Sequence, residues 1–257
     1  ERTEFVLRKA GIASPKIMMD VRPELEDVCN RDPITATKGN VFFEVYQRML
    51  DHGVRAIPVL DEEHNVTGIV TLLDLLQLML RGGVDPIKSR EVRTTLDKVV
   101  DVIGGSYQHS VDTGRVDELV VTVGAMSADG FTSRVRAFPS ERLLVVSGDR
   151  PTIQLPAIET GARALVVTGG YQLSSGLLQL AEARGVTVIN SPYDTATTTM
   201  RIKAAHLIDS VINPEFMKLP ARMPVANARQ QVYRSPQMVF PVVEGNRLVG
   251  VISKSDL

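Results

Sequence analysis

The stretch Val54–Leu80, VRAIPVLDEEHNVTGIVTLLDLLQLML, decides how this chain is read. Ala56 to Leu60 is an apolar, β-rich run and DEEHN a polar turn. Val66 to Val70 is a hairpin partner, and a helix follows from Thr71 to Arg81. A shorter copy closes the sequence at Val239–Leu257, VFPVVEGNRLVGVISKSDL. Gly68 and Gly250, Thr71 and Ser253, and Asp74 and Asp256 repeat at one offset. One strand–strand–helix unit is used twice, with other sequence between the copies.

Ahead of the first copy, Ile34–Thr37 (ITAT) is a short β-rich run. Val41–Leu50 places Val41, Val45, Met49 and Leu50 on one helical face, and His52-Gly53 ends that helix. The unit therefore runs β-α-β-β-α. Further upstream, Val21–Asn30 fits a helical turn with Val28 inward, and residues 1–20 suggest a short helix broken at Pro15. In the second copy the early strand falls near Phe216–Leu219. Its helix contains Pro224 and is cut short by Pro236.

Gly82-Gly83 with Pro86 marks a boundary. Beyond it, Arg93–Ile103 reads as helix. Leu119–Val123, Leu143–Val146, Ala164–Val167 and Val186–Ile189 are short, nearly continuous apolar runs. Helical segments at Thr152–Thr160 and Ser174–Arg184 separate the last three, and Thr195–Ile208 leads out. Such alternation implies a parallel sheet covered on both faces.

At 257 residues the chain is long enough for two or three cores. Hydrophobic content of 44% and charged content of 23% are ordinary for a globular protein, and a net charge of -1 gives no reason to expect nucleic acid or an anionic membrane as partner. The single Cys29 excludes an internal disulfide framework and points to a reduced, cytoplasmic setting. No run is apolar and long enough to span a bilayer. The sequence begins at Glu1 inside a helical pattern and stops at Leu257 as a helix opens, so the chain is expected to be a piece of a longer protein.

Thr71-Leu-Leu-Asp74 and Ser253-Lys-Ser-Asp256 each stand where a β-branched strand gives way to a helix. A hydroxyl with a carboxylate three residues on is a capping box, which is the plain reading of either copy alone. The same pair suits a nucleotide: hydroxyl and free N–H groups meet phosphate, while the carboxylate accepts from ribose. Its recurrence behind two Pro-containing strands favours the ligand reading, and the cap can serve both purposes.

With these residues in place, IPV then GIVTLLD resembles a CBS domain, and FPVV then GVISKSD a second one. Two such motifs usually pack as one Bateman module that binds adenine nucleotides. The resemblance implies that Thr71, Asp74, Ser253 and Asp256 hold ribose and phosphate. Adenine would lie against Ile34, Thr35 and Ala36 and against Ile57-Pro58, with Phe240-Pro241 matching in the second half. Lys38 and Arg55 would supply positive charge. Met238 stands where the first half has Arg55, and Lys218, Arg229, Tyr233 and Arg234 are the residues available to compensate. The first half is thus expected to bind more strongly.

The middle segment resembles the DRTGG domain, through Gly148-Asp149-Arg150-Pro151-Thr152 and Thr168-Gly169-Gly170, although this chain reads DRPT. It has no P-loop Lys and no G-x-G-x-x-G, so it is assigned no chemistry. The fold class is then α/β and α+β: two CBS motifs in one Bateman module around an inserted α/β domain. The expected divisions are a lead-in at 1–20, a first CBS motif at 21–82, DRTGG at 83–205 and a truncated second motif at 206–257.

That order is similar to the regulatory insert of family II, manganese-dependent inorganic pyrophosphatases, as are DVRPELEDV at Asp20–Val28 and SPYDT at Ser191–Thr195. The resemblance implies inhibition by AMP or ADP, activation by ATP or a diadenosine polyphosphate, and a homodimer. Manganese is expected only in a catalytic domain outside this chain. The scattered His52, His64, His109 and His206 supply no metal site, so the chain itself is expected to be inactive. The alternatives are a dimerisation scaffold with degenerate pockets, or the regulator of a different enzyme.

Overall fold

The computed structural model describes residues 2–11, 22–80, 88–125 and 127–257. The elements begin with α1 (Arg2–Lys9), α2 (Leu25–Val28), β1 (Ala36–Thr37), α3 (Phe42–Asp51), β2 (Ala56–Leu60), β3 (Val66–Thr71) and α4 (Leu72–Met79). A middle section follows with β4 (Glu91–Thr94), α5 (Leu96–Ile103), β5 (Ser106–His109), β6 (Asp117–Val123), α6 (Ala128–Val135), β7 (Leu143–Ser147) and α7 (Pro151–Glu159). It continues through β8 (Ala164–Val167), α8 (Ser175–Arg184), β9 (Thr187–Asn190) and α9 (Thr195–Ala204). The chain ends with β10 (Leu219–Pro220), α10 (Val225–Arg234), β11 (Val239–Glu244), β12 (Arg247–Ser253) and a 3-10 turn over Lys254–Asp256. This is the mixed α/β class expected from the sequence. Two compact units result: Pro33–Phe216 is one, and Glu1–Asp32 with Met217–Leu257 the other.

In the larger unit, β1 pairs parallel with β2, which pairs antiparallel with β3. Period-2 alternation sends Ala36, Ile57, Val59 and Val70 inward, against Val45 and Met49 of α3 and Leu75 and Leu78 of α4. Each fully buried side chain of this size contributes about 1.5–3 kcal/mol. Leu50, expected on this face, is 54% exposed. The inward stripe is instead Phe42, Val45 and Met49, spaced three and four residues apart, and Leu50 lies one position off it.

The middle sheet has the order β4-β6-β7-β8-β9-β5. Strands β6 to β9 are parallel and in sequence order, and β4 and β5 are antiparallel edges. Leu143, Val145, Leu165 and Val167 meet α6, α7 and α8 on one face. Leu144, Val146 and Val166 meet α5 and α9 on the other, in a core continuous with that of the first β-α-β-β-α unit. The expected helix from Arg93 begins only at Leu96, capped by the Thr95 hydroxyl accepting from the Lys98 N–H at 3.2 Å. Glu91–Thr94 is a strand because it buries Val92 and Thr94 and turns Glu91 and Arg93 outward, the pattern of a half-covered edge.

The smaller unit repeats the first topology in β10-β11-β12. Leu219, Phe240, Val242 and Ile252 pack with Ala228 and Val232 of α10 and with Leu25 of α2. Leu25 is the inward residue of that turn, and Val28, expected inward, is 42% exposed. Pro224 also corrects an expectation. It stands at the N-cap, outside the helix, where its preset φ of -59° suits entry. Helix α10 consequently runs ten residues, as α3 does, and is not shortened.

Both repeated glycines sit under a crossing chain. The Ile69 and Asn213 main chains exchange two hydrogen bonds, of 3.0 and 2.9 Å, and a Cβ on Gly68 would lie 2.8 Å from the Asn213 oxygen. In the other unit Val251 and Asn30 exchange two bonds of 2.9 Å, and a Cβ on Gly250 would lie 2.6 Å from the Asn30 oxygen. Each Asn also accepts a backbone N–H two residues on, from Glu215 at 2.9 Å and from Asp32 at 3.0 Å, forming matched Asx turns.

Candidate nucleotide-binding sites

In the first half, the β2–β3 register sets Ala56 opposite Thr71 and Pro58 opposite Ile69. Ala56, Pro58 and Thr71 therefore share the face turned away from the helical core. Thr71 caps α4. Its N–H and hydroxyl both donate to Asp74 Oδ2, at 2.8 and 2.7 Å, and its oxygen accepts the Asp74 N–H at 3.2 Å. The hydroxyl proton is thus committed to Asp74, while Asp74 Oδ1 is left to accept. The Leu72 N–H donates to the Arg55 carbonyl at 2.9 Å, which places Arg55 beside this helix start. Arg48 Nη1 donates to the Thr35 carbonyl at 3.0 Å and holds the strand that precedes β2.

Register also separates the two expected cations. Because β1 runs parallel to β2 with Thr37 opposite Leu60, Lys38 falls at the hairpin end of the sheet, away from Thr71. Arg55 lies at the Thr71 end. The side chains of Ala36 and Ile57 belong to the core, so what they offer a ligand is main chain. Ile34 is half-buried and packs against that same core.

In the second half Val239 faces Ser253. The Ser253 N–H and hydroxyl meet Asp256 Oδ2 at 2.6 and 2.8 Å, the same cap on a 3-10 turn. Pro241 shares a face with Val239, whereas Phe240 is fully buried in the core. Lys218 Nζ donates to Asn246 Oδ1 at 2.6 Å, which draws it to the hairpin turn, at the other end of β12 from Ser253. The cation near Ser253 is Lys254, its ammonium on the Ser235 carbonyl at 2.5 Å. Sequence reasoning passed over Lys254, and its place within SKSD was the available signal.

The family profile of the CBS domain matches residues 25–81 and 208–257, and that of the DRTGG domain matches residues 98–205. The chain is a CBS–DRTGG–CBS array. It is similar to the cobalt-dependent inorganic pyrophosphatase of Clostridium perfringens, 25% identical over 260 residues, which are 100% of this chain and 46% of the relative. A Thermotoga maritima relative named "Probable manganese-dependent inorganic pyrophosphatase" is 22% identical over 264 residues, 98% of this chain and 45% of that protein. The chain spans less than half the length of these curated relatives. Among solved structures, the CBS and DRTGG domains of the regulatory region of Clostridium perfringens pyrophosphatase match with a TM-score of 0.76 at 24% identity, covering 90% of this chain and 100% of that one. That protein was solved with its activator, diadenosine tetraphosphate.

Within the DRTGG domain, the Thr168-Gly169-Gly170 turn has its amides already spent. The Gly169 N–H donates to the Tyr193 carbonyl at 2.7 Å and the Gly170 N–H to that of Ser191 at 2.9 Å. Both glycines have positive φ, +78° and +73°, which fits a plain turn. Thr168 Oγ1 and Thr195 Oγ1 are 2.8 Å apart, and Asp194 caps α9, where the Thr197 N–H and hydroxyl hold its carboxyl below the usual range. Strands β6 to β9 follow in sequence order, so they lack the switch point at which open α/β sheets form a ligand crevice. Among the described residues, no group of three or more His, Cys, Asp or Glu is placed to hold a metal ion, and no helix is long and apolar enough to cross a membrane.

Proposed function

We propose that this chain is an adenine-nucleotide-sensing regulatory region of a protein that hydrolyses inorganic pyrophosphate. The catalytic metal, manganese or cobalt, would be held by other domains of that protein. The observation that carries the reading is the hydroxyl–carboxylate cap repeated at both strand–helix junctions, with Asp74 Oδ1 left to accept ribose hydroxyls and Arg55 beside the first. AMP or ADP inhibits and ATP or a diadenosine polyphosphate activates. Such opposite effects require the ligands to favour different arrangements of the module, since only differential affinity shifts an equilibrium. The activator named with the Clostridium perfringens structure supports a nucleotide as the ligand. Calorimetric titration with AMP, ATP and diadenosine tetraphosphate is the test, and saturable binding is expected. No heat of binding at millimolar ligand contradicts the proposal.

A second reading, dimerisation with the pockets idle, rests on α4. Leu73, Leu76 and Leu80 stand 65, 46 and 77% exposed along one side of a segment with a single charged residue, Asp74. A homodimer is compatible with both readings. The substitution L76E separates them: as a sensor the protein dissociates on sedimentation yet still binds nucleotide, whereas a pure scaffold loses its only property.

A further inference from the structure

The first CBS motif is wired to the DRTGG domain through polar side chains, and the wire ends on the strand expected to face adenine. Asn40 Oδ1 accepts the Thr37 N–H at 2.8 Å and the Arg48 guanidinium at 3.3 Å, and the same Arg48 nitrogen holds the Thr35 carbonyl at 3.0 Å. On its other side Asn40 Nδ2 donates to Glu44 Oε2 at 2.6 Å. Glu44 Oε1 accepts from Lys98 Nζ at 2.6 Å, and Lys98 lies in the first turn of α5, in the DRTGG domain. The Asn40 amide accepts through Oδ1 and donates through Nδ2, so it fixes the direction of the relay. The main chain is gripped as well, by the segment just past the DRTGG match, with the Phe42 N–H on the His206 carbonyl at 2.8 Å and the Ile208 N–H on the Asn40 carbonyl at 3.1 Å. Burial raises the Glu44 carboxyl, but hydrogen bonds from Lys98 and Asn40 outweigh it and hold the group ionised below its usual range.

Strand β1 is two residues long and has few ladder bonds of its own, so its placement depends on these side chains. The second half lacks the relay. At the matching positions around its equally long helix stand Met223, Asn227 and Gln231 in place of Asn40, Glu44 and Arg48.

We propose that Asn40 and Glu44 are positioning residues of the first nucleotide site, and that through Lys98 the DRTGG domain sets the affinity of that site. The proposal rests on the nucleotide-sensing reading. A loop already held in its binding shape gives up less freedom when ligand arrives, so cutting the wire at a distance weakens binding.

The experiment is AMP calorimetry on the whole chain, with hydrogen exchange at the Thr37 amide read without ligand. K98M is expected to weaken AMP binding at the first site about 3- to 10-fold and to speed Thr37 exchange. K98R retains wild-type behaviour, and the K98M/N40L double variant is no worse than its weaker-binding parent, because one chain of contacts is cut once. If K98M does not fold, the near-isosteric E44Q decides by the same two readouts. A Lys98 that is merely structural lowers the melting temperature and leaves AMP affinity and Thr37 exchange unmoved, which overturns the proposal. Failure of the wild-type chain to bind AMP is a different result, and it removes the nucleotide reading itself.

Discussion

The Thr71 hydroxyl donates a hydrogen bond to the Asp74 carboxylate and accepts one from the Asp74 N–H, so one residue both starts a helix and aims a carboxylate. T71A removes the cap and is expected to cost about 1 kcal/mol in stability, while T71S, which keeps the hydroxyl, restores most of it. Thermal melting of the two variants checks this, and equal melting temperatures contradict it. Both junction pairs were legible from spacing alone, because a capping box is a local rule. The cations were not. Whether Lys38 or Arg55 stands near Thr71 depends on β1 pairing parallel with β2, and no local pattern states that. Lys254 was within reach of the local SKSD pattern, but its partner, the carbonyl of Ser235 just past the end of α10, was not.

At the scale of elements, the repeat of Gly68 and Gly250 was visible, but its cause was not. The chain that crosses each glycine comes from the segment just upstream of the other copy, Asn213 over Gly68 and Asn30 over Gly250. G68A and G250A each force a Cβ into a backbone oxygen at 2.8 or 2.6 Å, and each is expected to destabilise its own unit by about 1–3 kcal/mol. Hydrogen exchange at residues 208–213 in G68A, and at 22–30 in G250A, should quicken. Exchange unchanged in both contradicts the crossing-chain account. The parallel strands β6 to β9 were readable because burial on both faces makes them continuously apolar. The edges β4 and β5, EVRT and SYQH, were not, because Glu91 and Arg93 of β4 turn outward and β5 buries none of its residues fully and is polar along its length. Pro224 misled because a proline inside a helical pattern and one at its threshold look alike until the helix start is located.

Across the molecule, the two CBS halves differ in charge. Residues 33–80 carry three basic and six acidic side chains, and residues 217–257 carry six basic and two acidic. AMP, with one phosphate, should follow the local contact with Arg55, while ATP should gain more from the basic second half. ATP binding measured in D74A, where the second half remains, should therefore fall more steeply between low and high salt than in D256A. Equal salt slopes contradict this. The measurement that tests the central claim most directly is calorimetric titration of AMP into the wild-type chain, D74A and D256A. Two nucleotide sites, the first stronger, predict saturable wild-type binding, loss of the tighter phase by about tenfold or more in D74A, and retention of that phase in D256A. Wild-type affinity in D74A, or no AMP binding by any of the three, contradicts the account.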